Sequence, residues 1–124
     1  AFRSCRSLTA TTGMIACITD HDQVVAASGQ GSRELMGKAI SKELDRVITE
    51  REMTFVHTGE PQVLQLVENQ KESSSELIVQ PIICSGDAIG SVALVGKSAG
   101  ERFGNSEQML VKTAAGFLGR QMEQ

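Results

Sequence analysis

The chain has 124 residues, 40% of them hydrophobic and 22% charged, with a formal net charge of −3 at pH 7. That length reads as one domain with a core that buries roughly two-thirds of the unfolded surface unaided. The acidic balance argues against direct binding of nucleic acid, and no stretch has the length of a membrane span or the build of a signal peptide.

Three widely spaced cysteines, Cys5, Cys17 and Cys84, read as reduced thiols in a cytoplasmic protein. The chain opens at Ala1 inside a helix-like stripe, and we expect it to be a piece of a longer protein. Phe2, Cys5 and Leu8, with Thr12, mark one face of that helix, and Gly13 has the chemistry to end it. Residues 14–19 (MIACIT) and 23–28 (QVVAAS) are the strands of a hairpin turned by Asp20-His21-Asp22. His21 between two aspartates reads as a solvated loop tip, not a metal ligand.

Residues 28–32 form a Gly-rich loop, and residues 33–36 a single helical turn broken by Gly37. Ser41 is an N-cap for a helix over residues 42–52, with Glu43 favourably placed in its first turn and Leu44, Val47 and Ile48 on one face. Residues 53–57 (MTFVH) are a short strand, 58–61 a turn and 62–67 (QVLQLV) a further strand. Residues 68–75 (ENQKESSS) carry no apolar anchor and read as a mobile surface loop.

The chain is organised around residues 77–95. Two Val- and Ile-rich apolar runs, 77–84 and 88–95, flank the turn Ser85-Gly86-Asp87. Neither run alternates with polar residues, so this hairpin should be covered on both faces. After a connector, Asn105 is the expected cap of the last helix, with Gln108 reaching back in a capping box. That helix carries Met109, Leu110, Val111, Ala114, Ala115, Phe117, Leu118 and Met122, a band wider than one sheet face covers. The class is α+β: an antiparallel sheet with terminal helices on one face and short cross helices and loops on the other.

The hairpin motif Pro81-Ile82, Gly86-Asp87, Ile89-Gly90-Ser91-Val92 and the flanking helices resemble the GAF family over nearly the whole chain. The segment Glu34-Leu35-Met36-Gly37-Lys38 after a strand-turn-strand is also similar to the related PAS family. The long C-terminal helix favours GAF. TTGMIACITD (residues 11–20) and KTAAGFLGRQMEQ (residues 112–124) narrow the resemblance to the C-terminal domains of sporulation transcription regulators that carry an AbrB-like DNA-binding domain ahead of a GAF domain. This implies that residues 1–12 are the end of a linker helix and that DNA, activation and repression belong to an absent N-terminal domain. The wide apolar band of the last helix leads us to expect a homodimer through the terminal helices, with a tetramer as an option for the full-length protein.

Enzymatic and cofactor readings within that family find little support in the residues. Cyclic-nucleotide sites go with an Asn-Lys and Phe-x-x-x-Asp-Glu pattern that this chain lacks, and bilin attachment commonly uses a Cys-His pair that is absent too. Methionine sulfoxide reduction needs an activated thiolate, yet Cys17 and Cys84 have no basic neighbour in sequence. The spacing of the cysteines with His21 and His57 does not suit zinc. We therefore expect no cofactor and no catalysis. Two readings stay open: a sensor of a small neutral or zwitterionic molecule, and a structural oligomerisation module. For the sensor, the expected pocket residues are Ser28, Ile48, Phe55, His57, Ser73, Ser74, Ser75 and Ile78, beneath residues 58–75 and beside the helix after Ser41. For the dimer, they are Phe2, Cys5, Leu110, Ala114, Phe117 and Leu118.

Overall fold

The protein is described from a computed structural model, which covers residues 2–57, 65–68, 76–96 and 104–123. In chain order the elements are α1 (Phe2–Thr12), β1 (Ile15–Thr19), β2 (Val24–Ser28), a 3-10 turn (Ser32–Glu34), α2 (Lys42–Glu50), β3 (Thr54–His57), β4 (Glu76–Cys84), β5 (Asp87–Gly96) and α3 (Asn105–Gln121). Of the strand expected over residues 62–67, residues 62–64 lie outside the described set. Val67 makes an isolated antiparallel bridge to Ile40. No described helix is long and apolar enough to cross a membrane.

All pairings in the five-stranded sheet are antiparallel, and its order is β2-β1-β5-β4-β3. The unalternating hairpin thus occupies the middle, with β5 between β1 and β4, and both of its faces are covered as expected. Its turn is Ser85-Gly86, with φ of 51° and 85°. Two consecutive positive φ values give the twist that a two-residue hairpin needs, which Gly supplies without strain.

Terminal helices α1 and α3 cover one face. Cys5 and Leu8 of α1 and Val111, Ala115 and Leu118 of α3 join Ala16, Ile18, Ile78, Ile82, Val92 and Leu94 in a single core cluster. On the other face α2 contributes Leu44 and Ile48, which pack with Ile15, Cys17, Leu77, Val79, Ala93 and Val95. α1 ends as its composition suggests, with Gly13 at φ 73° and its N–H bonded to the Thr9 carbonyl at 2.7 Å.

Two bulges break the regular alternation. β2 carries Val25 as an extra residue opposite Ile18 and Thr19, and β5 carries Ile89 as an extra residue opposite Ile82 and Ile83. Each added residue shifts which face the following side chains occupy. Beside the second bulge, a Cβ on Gly90 would stand 2.0 Å from the Thr19 carbonyl oxygen, so β1 and β5 approach this closely only because Gly is there.

The last helix departs from expectation at its start. Gly104, not Asn105, is the N-cap, and its N–H donates to Oε1 of Glu107, not to Gln108, at 2.6 Å. The reach-back side chain belongs to the third helical residue, so moving the cap by one position moves its partner by one.

Candidate functional site

One local sequence choice, Ser41, anchors the layer on the α2 face. Ser41 sits in extended backbone (φ −72°, ψ 160°) as the α2 N-cap. Its hydroxyl oxygen accepts the Leu44 N–H at 3.0 Å and donates its proton to the Gln65 carbonyl. The Ser41 N–H donates to the Leu66 carbonyl at 3.1 Å, and the Glu68 N–H donates to the Ala39 carbonyl at 3.0 Å. Residues 65–68 are therefore laced to residues 39–41, and Leu66 and Val67 are buried in the α2-side core. This clasp lies between the two connecting segments, residues 58–64 and 69–75, and α2 ends at Arg51 with φ 64°.

Beneath the layer the sheet is mostly apolar, with one fully buried polar pair among the described residues. Thr19 and Ser91 face each other in the β1–β5 register, both buried, with their hydroxyl oxygens 2.7 Å apart. They satisfy one another, as buried hydroxyls require.

His21 fastens the edge of the same layer. Its Nδ1 is 2.7 Å from Oδ1 of Asp45 on α2, and its Nε2 is 2.6 Å from the Ala88 carbonyl oxygen at the start of β5. The loop tip is exposed, as the sequence suggests, but its imidazole is partnered at both nitrogens. The Asp45 carboxylate, and after it the Ala88 carbonyl, raise the His21 pKa above its ordinary 6.5.

The residues expected to line a pocket do not gather. Ile48 lies in the α2-side core, whereas Ile78 and Phe55 pack in the cluster beneath α1 and α3, across the sheet. Ser28 pairs with Ala16, whose side chain belongs to that same far cluster, and the Ser28 carbonyl accepts the Thr9 hydroxyl proton at 3.0 Å. Ser28, Phe55 and Ile78 thus cannot share a wall with Ile48, because the sheet lies between them. His57 pairs with Glu76 at the end of β3. Ser73, Ser74 and Ser75 lie outside the described residues. The sequence reading passed over Leu66, Val67, Thr19, Ser91 and the partners of His21. The Ser41 capping signal was legible, but its second bond to Gln65 spans 24 residues and leaves no local trace.

The expected dimer residues divide as well. Cys5 and Leu118 are 0% and 5% exposed in the single chain, so they serve its own core and are corrected as contact residues. Leu110 and Ala114 are half-buried against that core, while Phe117 is 48% exposed and Met109 64%. The Phe2 side chain lies outside the described set.

Among the described residues no three His, Cys, Asp or Glu side chains group to hold a metal ion. Burial pushes the Cys5 thiol up to about 11 and the Cys17 thiol up to about 12, so both are protonated near neutrality.

Residues 2–123 match the family described as "Stage V sporulation protein T C-terminal, transcription factor". The chain is 37% identical over 107 residues to stage V sporulation protein T of Bacillus subtilis (strain 168). That match covers 86% of this chain and 58% of the relative, so the chain spans little more than half the relative's length. Among solved structures, the GAF domain of an Acinetobacter phosphoenolpyruvate-protein phosphotransferase is similar with TM-score 0.75 at 10% identity, over 94% of this chain and 75% of that one. The cofactor binding GAF domain of the nutrient sensor CodY from Clostridium difficile gives 0.72 at 17% identity, over 98% and 83%. A type II free methionine-R-sulfoxide reductase from Thermoplasma acidophilum gives 0.72 at 13% identity, over 96% and 86%. At these identities the three structures establish the GAF fold alone.

Proposed function

We propose, from the premise that the chain belongs to the stage V sporulation protein T C-terminal family of transcription factors, that it is the sensory and dimerisation domain of a sporulation regulator. It binds a small neutral or zwitterionic molecule on the α2 face of the sheet and thereby adjusts DNA binding by an N-terminal domain. The observation that carries this reading is the construction of the α2 layer. A nine-residue helix and four residues of strap cover that face; Leu44, Ile48, Leu66 and Val67 anchor them in the core, and one cap with a few backbone bonds joins helix to strap. Short segments laid over a sheet face between connecting loops are where binding sites are commonly built. The CodY neighbour, whose GAF domain is described as cofactor binding, lends support by analogy of fold.

Catalysis is not part of the proposal. Cys5 and Cys17 are protonated core thiols, and the matching family is described by transcription. Self-association through the terminal helices is part of it, with the exposed Phe117 and Met109 of α3 as the contact. DNA is contacted only outside this chain, whose net charge is −3.

One observation favours a second reading, a structural module with no ligand. Leu44 and Ile48 are completely buried, so side chains fill the described part of the α2 face. A thermal-shift screen of metabolites beside native mass spectrometry separates the two. A ligand that raises the melting temperature and slows hydrogen exchange in residues 39–50 and 58–75 supports sensing. A broad screen without a hit, or protection confined to α3, supports the structural module.

A further inference from the structure

Neither nitrogen of His21 faces a proton donor. Asp45 offers a carboxylate oxygen and Ala88 a carbonyl oxygen, at 2.7 Å and 2.6 Å. Both partners accept only, so both ring nitrogens must donate, and an imidazole does that only as the imidazolium. The three groups come from three places: the β1–β2 turn, the first half of α2 and the first strand turn of β5. The charged ring therefore ties the first turn of α2 to the sheet, near the N-cap Ser41 that also holds the strap of residues 65–68.

We propose that His21 is a proton-operated latch on the α2 layer: charged, it clamps α2 and the start of β5 together; neutral, it releases one of the two ties and the layer opens more readily. The groups around it favour the charged state. Asp22 stands beside it in the turn, and Asp45 faces it from α2. Asp20 is engaged elsewhere, accepting the Asp22 and Gln23 N–H groups at 2.7 Å and 2.8 Å. From β5 the contact is the Ala88 carbonyl, next to Asp87 in the chain. Lys42 and Arg46 flank Asp45 on α2, but among the described residues Asp45 is ion-paired with His21 alone.

The sign follows from linkage. The folded-state pKa is raised above 6.5, so the latch is fully closed below that ordinary value. It is lost as pH rises through the raised folded-state value. Acidification tightens the layer and alkalinisation loosens it. The latch needs no ligand, so it stands or falls separately from the sensing function.

The chain contains only two histidines, which makes the titration readable by NMR. His21 should titrate above its ordinary value. Amide protection of residues 42–50, corrected for intrinsic exchange, should fall on the order of threefold from about pH 5.5 to about pH 8.5, the scale of an exposed ion pair. Asp45→Asn should bring the His21 titration back toward the ordinary range and flatten the pH dependence in α2. His21→Gln, which keeps a donor nitrogen but cannot titrate, should flatten it as well and serves if the Asp45 variant folds poorly. A His21 titration at or below the ordinary value, or α2 protection in either variant that varies with pH as in the parent, overturns the proposal.

Discussion

Gly119 of α3 lies so close to the backbone of Ile83 in β4 that a Cβ on it would stand 2.1 Å from the Ile83 carbonyl oxygen. This contact sets how closely the last helix approaches the hairpin, beside the bond from the Ser85 N–H to Oε1 of Glu123 at 3.0 Å. Three residues earlier, Gly116 has nothing nearer than the Arg120 guanidinium at 3.5 Å. The same substitution should therefore have opposite signs at the two sites. Gly116→Ala gains helix propensity, about 0.5–1 kcal/mol. Gly119→Ala gains the same but must push backbone apart, which costs about 1–3 kcal/mol and wins. Urea unfolding of both variants checks this; two stabilised variants would contradict the close approach.

Adjacent residues on α3 should separate assembly from stability. Leu118 is core, so Leu118→Ala should cost about 2–4 kcal/mol. Phe117 is half-exposed, so Phe117→Asp should leave the chain folded, with a change of about 0.5 kcal/mol or less in the monomer. If α3 mediates self-association, Phe117→Asp also halves the mass seen by light scattering. A parent chain that is monomeric at tens of micromolar would remove dimerisation from the proposed function.

Ser41 links α2 to the strap of residues 65–68. Ser41→Ala removes the N-cap bond to Leu44 and the hydroxyl bond to the Gln65 carbonyl. We expect a loss of about 1–2 kcal/mol, with hydrogen exchange rising first in residues 42–44 and 65–68. Ser41→Asp should restore the cap to α2 but not the donation to Gln65, so it should rescue the helix more than the strap.

The thiols should rank by burial. Cys5 and Cys17 are fully buried with raised pKa values, whereas Cys84 is partly exposed at the end of β4. Under native conditions near neutral pH a maleimide should modify Cys84 first, and the other two only on unfolding. Rapid labelling of Cys17 in the folded protein would reveal an opening of the α2-side core.

The central hairpin was legible in the sequence because two runs around Ser85-Gly86, apolar but for Gln80 in the first and Gly90 and Ser91 in the second, leave few alternatives to paired strands buried on both faces. The α2 helix was legible from Ser41 and the Leu44, Val47, Ile48 spacing, and the terminal helices from their stripes. The same apolar continuity hid the faces. With no regular alternation of polar residues to mark the outside, β4 does not say that Ile78 looks toward α3 and Val79 toward α2, and a bulge at Ile89 reverses the count along β5. Hence Phe55 and Ile78 were grouped with Ile48, although the sheet separates them. The last helix's band of apolar residues could not be divided by sequence into Leu118, which its own core takes, and Phe117, which the core leaves out. His21 lies furthest from local reading. Its two partners stand 24 and 67 residues away, so only the antiparallel return of β5 and the seat of α2 bring a carboxylate and a carbonyl to the same ring.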